Sequence, residues 1–88
     1  MAVYMISYDL HAPTQNRTYV EQDIESIGPW GKYLTTTYLV SSSLPLNNVV
    51  TIAGKHFDIN DKMICSQVTK PISGYLTADQ WNWINTNL

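Results

Sequence analysis

The segment Val3-Tyr4-Met5-Ile6-Ser7-Tyr8-Asp9 constrains this chain more than any other, because it is apolar on both alternating faces until it stops at a carboxylate. In an extended strand successive side chains point to opposite sides, so Tyr4, Ile6 and Tyr8 line one surface while Val3, Met5, Ser7 and Asp9 line the other. With so little charge on either side, such a strand requires cover on both and belongs at the centre of a sheet. Asp9 falls where the strand leaves that core for a loop, a position from which polar chemistry reaches solvent.

At 88 residues the chain forms a single small domain. A domain of this size buries roughly 60–65% of the surface its unfolded chain exposes, a thin margin that a partner subunit would widen. The 44% apolar fraction and three tryptophans exclude a disordered chain. The charged fraction of 14% is low against the ~25% of ordinary domains, which leaves a surface suited to association. The lone cysteine, Cys65, excludes an internal disulfide, and within Met63-Ile64-Cys65 it reads as a small buried hydrophobe. No pair of cysteines or histidines has zinc spacing.

No apolar run approaches the ~18 residues that cross a bilayer, and no basic leader precedes a long apolar core, so the expectation is a cytoplasmic protein with no membrane contact. The net charge of −2, from five Lys/Arg and seven Asp/Glu, provides no overall attraction to phosphate. Any contact with nucleic acid must then rest on local patches.

After Asp9, the proline and short polar residues of Leu10 to Asn16 read as a loop. Val20, Ile24 and Ile27 then recur at i, i+4 and i+7, a helix capped by Thr14 or by Thr18 with Glu21 and ended by Gly28-Pro29. Trp30 to Val40 is aromatic and β-branched but long for one strand, which predicts a reversal among Thr35 to Thr37. Past the polar break Ser41 to Ser43, the stripe Leu46, Val49, Val50, Ala53 and Phe57 predicts a second helix, weakened by its β-branched run and by Gly54. Asp58 to Asp61 reads as a turn, and Lys62 to Val68 as a strand. Ile72 to Leu76 reads as a short extended tail. Thr77 and Gln80 form a capping box, with Leu76 and Trp81 placed as a hydrophobic staple. They open a terminal helix that docks by Trp81, Ile84 and Leu88, leaving Trp83 on the surface.

The order of elements is that of a ferredoxin-like βαββαβ α+β sandwich, an antiparallel sheet with two helices on one face, plus a short C-terminal helix. One domain spans 1–88, with a core over 1–70 and an extension over 71–88. The face without helices needs another cover, because large apolar patches are rare on soluble monomers. A symmetric homodimer is the expected solution. The six tyrosines, which could stack on bases, read first as core and interface packing.

A strand ending in Tyr8-Asp9-Leu10, the pair Gly31-x-x-Leu34-x-x-Thr37-x-x-Val40, and Asp61-Lys62-x-Ile64 opening a late strand resemble the small CRISPR-associated "Cas-two" proteins. The likeness extends to their short SinR-labelled and virulence-associated-D relatives, and it covers roughly residues 2–70. It implies a ferredoxin-like homodimer in which both subunits contribute the Asp that ends the first strand, the metal ligand proposed in members described as nucleases. Two Asp9 carboxylates facing each other would share a proton or hold Mg²⁺, which activates water against a phosphodiester. His11 would serve as acid or base, and Arg17 and Lys32 would touch phosphate. Asp58 and Asp61 are the acids available to supplement Asp9. Nuclease-like members are rich in Arg and Lys after the Asp, whereas Leu10 to Asn16 here contains neither. The preferred expectation is therefore a dimeric module that binds a protein or nucleic acid in a defence, toxin–antitoxin or mobile-element setting without catalysis. The alternative is an Mg²⁺-dependent nuclease acting on RNA or DNA through Asp9 of both subunits.

Overall fold

The central position required of the opening strand is met in the computed structural model, which describes residues 1–88. β1 (Ala2–Asp9) lies between β3 (Thr37–Ser42) and β4 (Lys62–Val68), and β2 (Trp30–Leu34) lies outside β3. The order β2-β3-β1-β4, antiparallel at every junction, is consistent with the ferredoxin-like sandwich. The chain forms an α+β fold, with helices packed on a four-stranded antiparallel sheet and a C-terminal helix at its end.

One face is covered by α1 (Pro13–Glu25) and α2 (Leu46–Ala53), where Val20, Ile24, Val49 and Ala53 meet Tyr4, Ile6, Tyr8, Tyr38 and Val40 of the sheet. Each fully buried aliphatic side chain in this layer contributes roughly 1.5–3 kcal/mol. Neither threonine caps α1. The helix starts earlier, with Ala12 at the N-cap and Pro13 in the first turn, where a missing N–H leaves no bond unmade and the fixed φ suits the helix. α2 stops at Ala53 with Gly54 as its C-cap, so that glycine ends the helix rather than interrupting it. The reversal in the threonine run is a two-residue turn at Thr35-Thr36, and a register shift in β2 falls between Lys32 and Leu34.

The second face is covered in part by the chain itself. Ile84 of α3 (Ala78–Asn87) is buried against Val3 and Leu39, with Trp81, Leu88, Leu76 and Tyr33 packed around them. The predicted capping box is present: the Gln80 N–H donates to Thr77 Oγ1 (3.2 Å) and the Thr77 N–H to Gln80 Oε1 (2.9 Å). The Tyr33 hydroxyl donates to the Gln80 carbonyl (2.9 Å), fixing the start of α3 beside β2. Trp83 is not a surface residue. It is half-buried edge-on to the Tyr33 ring at 6.1 Å, because α3 packs against β2 as well as over Val3 and Leu39.

The rest of this face is uncovered. Leu34, Thr37, Ser7 and Ile64 form one row across all four strands. The Ser7 and Thr37 hydroxyls bond to each other at 3.0 Å, while Met5, Leu34 and Ile64 are 38, 62 and 73% exposed. Tyr75, in the segment that leads to α3, is fully exposed.

Candidate functional site

A strand buried under helices on one side and partly covered on the other turns polar where it emerges, and β1 does so at Asp9, its exposed last residue. Lys62 is its cross-strand neighbour on β4. Directly opposite residues of an antiparallel pair share a face, so both lie on the side away from α1 and α2.

The loop after Asp9 is fastened to the turn before β4 by Asp61. Its Oδ1 accepts the His11 backbone N–H (2.7 Å), and its Oδ2 accepts the Asn16 side-chain amide (2.8 Å) and the Asp58 N–H (2.7 Å). The amides of Asp58 and His11 hold the Asp61 carboxyl below the ordinary carboxylate range, outweighing the opposite effect of burial. Asp58 is used locally, accepting the Asn60 N–H at 3.2 Å. Asp61 therefore acts as a fastener between loops, and His11 contributes its backbone to that contact while its side chain is exposed.

These contacts bear on whether Mg²⁺ fits. No group of three or more His, Cys, Asp or Glu side chains converges anywhere in the chain. Both oxygens of Asp61 are already engaged, so one chain offers Asp9 alone and does not by itself fit an Mg²⁺ site. A cation there would depend on a carboxylate from outside the chain.

Arg17 and Lys32 are brought together, but around an internal acid. Glu21 Oε2 accepts from Lys32 Nζ (2.5 Å), Arg17 Nε (3.3 Å) and the Tyr8 hydroxyl (3.3 Å). Burial alone would raise the Glu21 pKa, yet the bonds from Lys32 and Arg17 hold it below the ordinary value. Burial first, and then the neighbouring Glu21 charge, push the Tyr8 phenol up to about 12. The Tyr38 hydroxyl donates to Glu25 Oε2 at 2.6 Å, and the Lys32 ammonium lies 5.7 Å from the Tyr38 ring centre. Lys32 faces Tyr38 in register and so projects on the helix-covered side, while Asp9 projects on the other. The sheet thus separates the two cations from the acid that was expected to work with them.

Sequence reasoning missed Glu21 as the acceptor shared by both cations. Its i, i+4 spacing from Arg17 was a readable signal, but the reach of Lys32 and Tyr8 to it is tertiary. It also missed a pair on the outer helix surface, where His56 Nδ1 lies 2.6 Å from Asp23 Oδ2 beneath the Tyr19 ring, 33 residues apart in the chain.

An apolar recess lies on the half-covered face. An open groove of about 410 Å³ runs between the sheet and the 72–76 segment, walled by Met5, Leu34, Tyr75 and Leu76 over the Ser7–Thr37 hydroxyl pair. No family model, no curated protein and no solved structure matches this chain.

Proposed function

We propose that this chain is a non-catalytic module that works as a homodimer and binds a protein partner, in the defence, toxin–antitoxin or mobile-element setting that the resemblance implies. The observation that carries the reading is the apolar strip of Met5, Leu34, Ile64 and Tyr75 on the half-covered face, where a small domain would otherwise present charge. Aromatic residues and methionine are favoured at such surfaces and acids disfavoured, and none of the four is charged. A protein partner is preferred to nucleic acid because Arg17 and Lys32 are both engaged by Glu21. Affinity capture with the native chain and with Leu34→Asp tests the reading, once both give the same circular-dichroism spectrum. A binding protein retained by the native chain and lost from the variant is the expected result. Equal retention by both, or none by either, overturns it.

The second reading, a nuclease using Asp9 of both subunits, draws on the exposure of Asp9 at the end of β1. Cleavage of mixed oligonucleotides with Mg²⁺ that is abolished by Asp9→Asn would support it. Absence of cleavage by the native chain removes it.

A further inference from the structure

The two edges of the sheet are built differently. β2 is five residues long, follows Pro29 and carries a register shift, and the Tyr33 carbonyl at this margin accepts the Gln80 side-chain amide at 3.5 Å. Short length, irregularity and cover are the means by which an edge is kept from pairing with other strands. β4 has none of them. It runs seven residues without proline, glycine or register shift, its one charge is Lys62 at the first position, and no strand pairs with its outer side.

We propose that two copies of this chain join through the free edge of β4, antiparallel about a twofold axis at Cys65, to make one continuous eight-stranded sheet. This rests on the homodimer part of the reading above and names the surface that forms it. The Tyr8 N–H donates at 3.0 Å to the carbonyl of Thr36, the turn residue that leads into β3, which sets the alternation: even residues of β1 bond towards β3 and odd ones towards β4. Through the register Val3↔Val68, Met5↔Ser66, Ser7↔Ile64 and Asp9↔Lys62, the inward-bonding residues of β4 are Lys62, Ile64, Ser66 and Val68. Met63, Cys65 and Gln67 therefore turn their N–H and C=O groups outwards.

A partner strand must match outward groups with outward groups. With Cys65 opposite its own copy, Met63 pairs with Gln67 of the second copy and the whole strand is used; any other twofold register leaves outward groups unpaired. The same register carries Lys62 opposite Val68 of the second copy, so no like charges meet. It also sets the two Ile64 side chains diagonally across the axis, within contact range for such pairs. The 73% exposed Ile64 is thereby set against its own counterpart, with Ser7 beside it in the next strand and Met5 on the diagonal. These matches identify a second copy as the occupant, because the strand is complementary to itself in hydrogen bonding, charge and apolar contact.

One consequence concerns Asp9. Lys62 of one copy lies opposite Val68 of the other, so the two Lys62 positions, and the Asp9 residues paired with them, stand about 20 Å apart along the strand direction at ~3.3 Å per residue. The edge dimer does not bring the two acids together.

Light scattering on the native chain and on Gln67→Pro and Ile64→Lys tests the proposal. Gln67→Pro removes an outward N–H without touching the β1 ladder, and Ile64→Lys sets like charges across the axis on an exposed position. The expected result is a native dimer and two folded monomers. Amide exchange at Met63, Cys65 and Gln67 should also slow at least about tenfold as native-chain concentration rises through the dimerisation range. Should Gln67→Pro fail to fold, Ile64→Lys and the exchange data decide. A native dimer whose mass is unchanged in the folded variants, with no slowing at those amides, overturns the edge and leaves a homodimer through another surface. A native monomer at high concentration overturns both.

Discussion

At the scale of single residues, two positions carry sharp expectations. Gly28 lies between α1 and β2 where the chain passes against β3, and a Cβ built on it would sit 2.1 Å from the Ser41 carbonyl oxygen. That oxygen belongs to backbone held by the sheet, so it cannot swing aside as a flexible side chain would. Gly28→Ala is expected to cost about 1–3 kcal/mol, the usual range for forcing extra volume into packed structure, read as a lower urea midpoint with unchanged slope. Tyr8 gives an alkaline prediction. Its phenol is neutral when protonated, and its pKa rises from 10.0 unfolded to about 12 folded, so its contribution is fully present below pH 10 and lost as pH climbs towards 12. Tyr38 shifts in the same direction through burial and its bond to Glu25. Titration followed by phenolate absorbance should therefore show the Tyr8 and Tyr38 phenols ionising only as the fold is lost. Ionisation of Tyr8 and Tyr38 near pH 10 with circular dichroism intact would contradict this.

Among the elements, α3 shows both how far sequence reads and where it stops. Its start was legible because Thr77, Gln80, Leu76 and Trp81 each answer a local requirement within one turn of helix. Its docking stripe was legible from periodicity, and Ile84 is buried as that stripe requires. What it docks against was not, because no local pattern distinguishes a helix that covers its own sheet from one that covers a neighbour's. The two-sided apolar character of β1 predicts a second cover supplied by a twin subunit, whereas part of that face is covered by α3 of the same chain. The candidate site divides in the same way. Asp9 at the exposed end of a central strand was readable, whereas the capture of Arg17 and Lys32 by Glu21, and of Asp61 by loop amides, depends on contacts between distant segments. α3 in turn yields a measurable expectation. Ile84→Ala should cost about 2–5 kcal/mol, a large part of the roughly 4–13 kcal/mol that a chain of this length carries. Thr77→Ala, which removes only the cap, should cost about 1 kcal/mol. Equilibrium unfolding of the two variants should preserve that order, and equal costs would mean that α3 is held by its cap rather than by its docking face.

For the whole molecule, two acids outside the aliphatic core tie its parts together: Glu21 joins α1 to β2 through Lys32, and Asp61 joins the loop after β1 to the turn before β4. Both carboxyls titrate below their ordinary values of 4.5 and 3.8, so each binds its proton more weakly folded than unfolded. The unfolded chain then takes up protons first as pH falls. Stability from these groups is complete above the unfolded values and is lost progressively as pH drops through them towards the lower folded ones. The urea midpoint should therefore be flat from neutral pH to about pH 5 and decline below it. Because Lys32 and Arg17 are at least partly exposed, screening by salt should weaken the Glu21 share, while the Asp61 share, which rests on backbone amides, should persist. Glu21→Gln should thus reduce the acid decline most at low ionic strength, and Asp61→Asn should reduce it at every salt concentration. A midpoint that stays level to pH 3 in the native chain, or that declines identically in both variants, would show that neither acid holds the loops and layers in place.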